Sequence, residues 1–169
     1  RVLAPIVDEP AVRAAFAAGV GARLTLELGG SIDSRHFKRH SFDVTVRSLS
    51  DGRFLSESFG QEWNSGPTAV LDSAPFTIVA TSRPVHLFDR SLFYANGRDP
   101  KRYDITIVKS PHCQHHMYAE WCEMISVDAP GSTSANLPTL GHTQCRRPVF
   151  PLDPPFEWKP LAKIVSRYL

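Results

Sequence analysis

The chain has 169 residues, of which 42% are hydrophobic and 21% charged, a composition typical of one folded globular domain. The formal net charge is only +2, and lysine and arginine are scattered along the chain, so we expect no nucleic-acid partner. No apolar run approaches the length of a bilayer span, and we expect no membrane partner either. The chain has three cysteines, Cys113, Cys122 and Cys145. A sparse and odd number of cysteines does not suit a disulfide framework and favours a cytoplasmic protein.

The N-terminal segment predicts a strand followed directly by a helix. The strand is Val2–Val7. In the helix that follows, Asp8 is a good N-cap, Pro10 lies in the first turn and Gly19 marks the end. The chain thus opens in a strand with no lead-in, which indicates a fragment of a longer protein.

The region after this helix predicts antiparallel strands. Apolar and polar residues alternate at 24–28 and 42–47, each the pattern of a strand with one buried face. A turn at 50–52 predicts a return strand that starts at Phe54. Two further strands are expected around the turn that precedes Phe76: Ala69–Leu71 and Phe76–Ala80.

The second half predicts a βαβ unit. The continuous β-branched run Ile105–Val108 is typical of a strand covered on both faces. Ser110, followed by Pro111, predicts the start of a helix that runs to about Cys122. A second strand is expected at Met124–Val127, parallel to the first and joined to it by a right-handed connection.

Five prolines between Pro148 and Pro160 argue against regular structure there, so residues 148–169 are predicted to form a wrapping tail with a short terminal helix at 161–168. The whole chain, 1–169, is expected to be one domain of the α+β or mixed α/β class. Its predicted architecture is an antiparallel-rich mixed sheet plus a βαβ unit, with helices packed on the sheet.

The predicted βαβ unit places a group of polar residues at one edge. Ligands gather at the carboxyl ends of parallel strands, where Lys109, Ser110 and Asp128 would emerge, with His112 in the first turn of the helix. A helix N-terminus and a lysine favour an anion there, so these four residues are the substrate-facing candidates. The alternative is that Lys109 and Asp128 form a buried ion pair that only joins two loops.

The same helix suggests a metal site. His112, His116 and Glu120 would fall on one face at i, i+4 and i+8, and two histidines at i, i+4 is a zinc-ligand spacing. Cys113, however, stands where a zincin has glutamate. No complete nucleophile, base or metal set is present otherwise, so the isolated chain is expected to be catalytically silent.

Eight ordered segments together carry a family resemblance. They are Ala11–Ala22, Leu26–Gly30, Ser50–Phe54, Gly66–Leu71, Thr81–Arg83, Val108–Ser110, Val127–Gly131 and Arg147–Asp153. In order and spacing this set resembles the C-terminal domain of the microcystinase C (MlrC-like) family of zinc metallopeptidases, from about residue 3 to residue 153. The sequence departs from the family pattern after Lys109-Ser110, where His-Phe-Arg is expected and Pro111-His112-Cys113 is found.

The resemblance implies a hydrolase that cleaves amide bonds in small or modified peptides such as microcystins. It also implies zinc, bound by a preceding N-terminal domain that would be the partner of this one; no cofactor is expected in this chain alone.

Three interpretations stay open at this point. The chain is a wall of the active-site cleft or an interface of a metallopeptidase, a non-catalytic structural or dimerisation domain in a homo-oligomer, or a metal-binding unit built on the His112–His116 helix. The sequence does not give the substrate or the oligomeric state.

Overall fold

The computed structural model describes residues 1–110, 113–129, 134, 136–157, 159, 161, 163 and 165. The chain divides into two compact units, 1–125 and 126–169.

The regular elements of the first unit, among its described residues, are β1 (Val2–Val7), α1 (Glu9–Ala18), β2 (Arg23–Leu28), β3 (His40–Ser50), β4 (Arg53–Leu55), β5 (Glu62–Asn64), β6 (Thr68–Ser73), β7 (Phe76–Thr81), α2 (Ser91–Ala95), a 3-10 turn (Pro100–Arg102), β8 (Ile105–Thr106) and α3 (His116–Ala119). Six strands form a mixed sheet in the order β2-β3-β6-β7-β1-β8, and β4 pairs with β5 in a separate antiparallel ribbon. This mixed sheet with few helices confirms the predicted α+β class.

The parallel part of the sheet is centred on β1. It lies between β7 and β8 and pairs parallel with both, with Val2 opposite Phe76 on one side and Ile105 on the other. A βαβ unit therefore exists, but β7, α2 and β8 form it. The predicted strand Met124–Val127 is wrong: those residues are in no strand, and Ile125 is 80% exposed. The parallel partner of β8 is instead β1, from the start of the chain.

The antiparallel part was largely predicted. The β2–β3, β3–β6 and β6–β7 pairs are all antiparallel. The return strand at Phe54 does not pair with β3, however, because β3 already has β2 on one side and β6 on the other. Instead Phe54 lies opposite Trp63 in the ribbon.

α1 covers one face of the sheet. Asp8 caps it by accepting a hydrogen bond from the Ala11 N–H at 3.2 Å, and the N–H of Gly19 bonds to Ala15 at its end, as the sequence predicts. The buried helix residues pack on apolar side chains of the sheet. This core cluster consists of Ala11, Val12, Ala15, Leu26, Leu28, Val44, Val46, Ala69, Leu71, Ile78 and Ala80.

Short elements cover the opposite face. Alternate residues of β6 and β7, Val70 and Val79, point to this side and pack with Leu3. The rest of this second core cluster comes from the ribbon, α2 and the segment before α2: Phe54, Leu87, Leu92 and Phe93.

β8 is a two-residue edge strand, so the expectation of a strand covered on both faces at Ile105–Val108 is wrong. Among the described residues its pairing is with β1 alone, and Ile105 and Ile107 are exposed. Val108 alone of this run packs against a core cluster.

The second unit has a single 3-10 helix, Leu137–Leu140, in its described part. Residues 148–157 lie in turns and irregular backbone, and Asp153 there accepts hydrogen bonds from Arg147 Nε at 2.7 Å and from Val149 N–H at 2.6 Å. The helix predicted at 161–168 lies mostly outside the described residues. Across the residues that the structure describes, no helix is both long and apolar enough to cross a membrane.

Candidate functional site at the carboxyl edge of the parallel strands

The three parallel strands β7, β1 and β8 run toward the same edge of the sheet, although β8 ends opposite Leu3, four residues before the end of β1 at Val7. Ser82 and Arg83 follow β7, Asp8 follows β1, and Lys109 follows β8 by three residues. The parallel pairing continues beyond β8, since the N–H of Ile107 donates to the carbonyl of Leu3 at 2.8 Å. This carboxyl edge is where α/β sheets characteristically present ligand-binding residues.

Asp8 is the buried centre of this edge, with its side chain fully shielded from solvent. One carboxylate oxygen caps α1, and the other accepts the N–H of Gly29 at 3.0 Å. Arg39 approaches both oxygens at 3.4 Å and also donates to the carbonyl of Glu27. Asp8 therefore ties the start of α1 to the β2–β3 connection, and its charge is compensated inside the fold.

A hydroxyl cluster, formed by the buried Ser65 and Thr68, fixes the backbone that follows β7. Ser65 and Thr68 are buried, their hydroxyl oxygens lie 2.9 Å apart, and Thr68 donates to the carbonyl of Gly66 at 2.8 Å. The carbonyl of Ser65 accepts the N–H of Arg83 at 2.9 Å, and Thr81 Oγ1 donates to the carbonyl of Arg83 at 2.9 Å. The backbone of Arg83 is thus held from both sides.

The four predicted substrate-facing residues do not all lie at this edge in the described structure. Lys109 is exposed and Ser110 half-buried, both beyond β8 at the carboxyl edge. His112 lies outside the described residues. Asp128 belongs to the second unit, where it is exposed and accepts a hydrogen bond from Ser134 at 2.8 Å. Because Lys109 and Asp128 are both exposed, neither is a buried charge.

The helix predicted from Pro111 to Cys122 is much shorter. Only His116–Ala119 is α-helical, and Pro111 and His112 lie outside the described residues. The N–H of Gln114 donates to the carbonyl of Phe88 at 2.5 Å instead of entering a helix. A helix dipole beside Lys109 is therefore not part of the described structure.

The metal candidates on this helix do not form a site in the described structure. His116 begins α3 and Glu120 follows its last residue, both of them exposed. Among the residues that the structure describes, no three histidine, cysteine, aspartate or glutamate side chains come close enough together to hold a metal ion.

An aromatic platform, which the sequence did not reveal, borders the same edge. It consists of Phe59, Trp63, His86 and Phe88. The rings of His86 and Phe88 stack at 5.0 Å between centroids, and Trp63 packs edge-on against both at 5.9 Å. His86 follows Arg83 by three residues, and Trp63 precedes Ser65 by two, so the platform and the hydroxyl cluster share the same two segments.

Asp89 holds together the two chain segments that carry Phe59 and Phe88 of this platform. It is buried and accepts hydrogen bonds from Ser56 Oγ at 2.7 Å, Ser58 N–H at 3.0 Å and Ser91 N–H at 2.9 Å. Burial raises the pKa of Asp89, but these hydrogen bonds lower it by more, so its pKa lies below the ordinary value. Next to it, Arg90 pairs with Glu57, and burial raises the pKa of Tyr118 well above its usual range.

Two shallow surface grooves of about 330 Å³ each lie on the β2 side of the sheet, and the second is beside Asp8. One runs along β2 and β3, and the other is lined by Pro10, Ala11, Leu26, Glu27 and Arg39. Both are wide open to solvent, unlike the enclosed pockets that bury small ligands.

Arg83 is the residue of this edge that sequence reasoning missed. It occurs in a segment that carries the family resemblance, yet nothing marked it as functional. The signal needed was the parallel pairing of β1 with β7, which brings the end of β7 beside Asp8.

With this edge defined, comparison with known proteins identifies the kind of domain. The family described as "MlrC C-terminus" matches residues 1–144, and the chain belongs to this family. The resemblance predicted from the sequence is thereby confirmed.

A solved structure has the same fold. It is the crystal structure of the "putative metallopeptidase" from Mesorhizobium sp. BNC1, with a TM-score of 0.80 and 28% sequence identity. The match covers 94% of this chain but 32% of that one, so the present chain spans about a third of the length of its structural neighbour. A search of curated proteins gave no match.

Proposed function

We propose that this chain is the C-terminal domain of a metal-dependent peptidase or amidohydrolase, and that its carboxyl edge forms one wall of the active-site cleft. Family membership and the metallopeptidase neighbour support the reaction class. The proposed substrates are small or modified peptides, or other amides, the class that includes microcystins. The free thiols of Cys113, Cys122 and Cys145 agree with action in the cytoplasm.

The observation that carries the proposal is the position of Lys109. It stands at the carboxyl edge of β8, exposed, and beside strands whose ends carry a buried Asp8 and a fixed Arg83. A cation on a rigid edge stabilises a carboxylate or a developing oxyanion without reorganising during the reaction. Ser110 adds a hydroxyl next to it, and His112 and Asp128 stay proposed members of the same wall.

The zinc ion of such an enzyme would be held elsewhere. The family resemblance implies that the metal ligands belong to a preceding N-terminal domain, which is also the proposed partner of this one. A bound zinc ion would supply an activated water molecule and polarise the scissile carbonyl. The share of this chain would be to bind and orient the substrate.

The test is Lys109→Met in the full-length protein. We expect kcat/KM for a peptide amide to fall tenfold or more, about 1.4 kcal/mol of transition-state binding, while the melting temperature changes little because Lys109 is exposed. Lys101→Met is the matched control, since Lys101 is also exposed but precedes β8, at the opposite end of that strand.

A structural or dimerisation role predicts a different result. In that case Lys109→Met and Lys101→Met would have the same kcat/KM as the unmodified protein, and the cleft assignment would be wrong.

A further inference from the structure

Arg83 is exposed, yet its backbone is held in a fixed position. Its backbone is held by the hydrogen bonds to Ser65 and Thr81 described above, so the position of its α-carbon is fixed. Its side-chain stem passes directly over Gly66. A β-carbon at residue 66 would lie 2.3 Å from Ser82 Oγ, 3.0 Å from Arg83 Cγ and 3.2 Å from Arg83 Cδ, so glycine leaves room for both side chains.

Gly66 is itself held in the conformation that leaves this space open. Its φ of +65° lies in the left-handed region, and its N–H donates to Asn64 Oδ1 at 2.7 Å. The absence of a side chain at residue 66 therefore creates the surface on which the Arg83 stem rests. A long cationic side chain supported in this way loses less conformational entropy when it binds a ligand.

Arg83 and Lys109 emerge at the same edge. β7 and β8 flank β1, so about 10 Å separates them across the sheet. Thr106 is level with Leu3 and Thr77, so an extended chain beyond β8 brings Lys109 level with Ala80, and Arg83 lies roughly 10 Å farther along the strand direction. The two α-carbons are then about 14 Å apart. Two side chains as long as arginine and lysine can reach a common ligand across that distance.

The electrostatic balance of this edge is positive. Within the part of the chain that the structure describes, no carboxylate lies within ion-pair distance of Arg83 or of Lys109. Asp8, which ends the strand between them, is buried and compensated by Arg39. Two exposed cations thus flank a neutralised carboxylate.

We propose that Arg83 and Lys109 together bind a carboxylate group of the substrate, and this inference rests on the proposed function. Arginine offers a planar pair of donors that matches the two oxygens of a carboxylate, and lysine adds a point charge. The site selects peptides that carry a carboxylate next to the cleaved amide. That carboxylate comes either from the C-terminus of the peptide or from an acidic side chain.

The experiment measures binding, so that it does not depend on turnover. The full-length protein is titrated by calorimetry with four short peptides that form two matched pairs. The first pair is acetyl-Ala-Ala and its C-terminal amide, which tests a terminal carboxylate. The second pair is acetyl-Glu-Ala-amide and acetyl-Gln-Ala-amide, which tests a side-chain carboxylate.

We expect the unmodified protein to prefer the carboxylate in one of the two pairs by at least fivefold in Kd. Arg83→Met and Lys109→Met should each reduce this preference to less than twofold, while Arg83→Lys should keep part of it. Arg47→Met is the charge-matched control, because Arg47 pairs with Asp72 away from the carboxyl edge, and it should keep the full preference.

Equal binding within both pairs by the unmodified protein would overturn the proposal, and so would a preference that survives Arg83→Met. If the preference follows Arg83 and Lys109 but no peptide amide is hydrolysed, the carboxylate site stands and the proposed peptidase activity fails.

Discussion

The two faces of the sheet are covered by different kinds of structure. On one face lies a single regular helix, α1, whose buried residues recur at helical spacing and pack on the strands. On the other face lie short elements, among them the β4–β5 ribbon and α2, joined through the buried Asp89. The first face depends on apolar periodicity over neighbouring residues. The second depends on hydrogen bonds between residues more than thirty positions apart in the sequence. It is also the face that carries the aromatic platform.

Two glycines, one associated with each face, test this contrast most strongly. Gly52 and Gly19 both have positive φ, +76° and +84°. A β-carbon at Gly52 would lie 1.8 Å from the carbonyl oxygen of Gly66, whereas at Gly19 nothing lies within 4 Å. We expect Gly52→Ala to cost about 3–5 kcal/mol, from backbone strain plus overlap, and Gly19→Ala about 1 kcal/mol, from strain alone. Urea unfolding gives both values, and equal losses would contradict the contrast.

The two buried aspartates come next in size. Asp89→Ala removes the acceptor of three donors and should lower the free energy of unfolding by about 3 kcal/mol. Asp8→Ala removes the helix cap and the acceptor of the Gly29 N–H, but water can reach the partly exposed Arg39 that it frees, so we expect a loss of about 2 kcal/mol. Chemical denaturation of both variants decides the order. A larger loss for Asp8→Ala would show that the α1 face is the more dependent on its polar anchor.

The pH dependence of stability tests the Asp89 anchor through a smaller effect. The pKa of Asp89 is below its ordinary value of 3.8 in the folded protein, so its ionised form stabilises the fold above about pH 4. This contribution is lost as the pH falls through the folded pKa. The difference in unfolding free energy between the unmodified protein and Asp89→Asn should therefore be constant at neutral pH and shrink in acid. A difference that stays constant down to pH 2 would rule out this linkage.

The structure of the α1 face could be predicted from the sequence, whereas the polar network of the other face could not. β1, Asp8 and α1 were predictable because a cap, a proline and an apolar stripe within a few residues all indicate one structure. The Asp89 network was not, since Ser56 and Asp89 are 33 positions apart and neither has an informative neighbour. The long helix from Pro111 failed because a cap signal was present but an apolar stripe was not: His112-Cys113-Gln114-His115 offers little to bury.

The candidate site shows a similar limit. The position of Lys109 beyond the end of a strand was predictable, because a β-branched run followed by a lysine is a local pattern. Arg83 was missed because its significance depends on β7 lying beside β1, and no local pattern indicates that pairing. The metal hypothesis on His116 and Glu120 depended on a continuous helix, and most of that helix is not present in the described residues.

The position of β1 between β7 and β8 has a consequence for the order of folding. Val2 pairs with Phe76, 74 positions away, whereas the β6–β7 hairpin closes between Ser73 and Phe76. Closing a short turn costs far less chain entropy than closing a long loop, so the hairpin should form before β1 inserts beside it. Leu3 and Val70 are both fully buried in the same core cluster and are a matched pair for testing this. In stopped-flow measurements Val70→Ala should mainly slow refolding and Leu3→Ala should mainly speed unfolding, because β1 joins the sheet after the β6–β7 hairpin has formed.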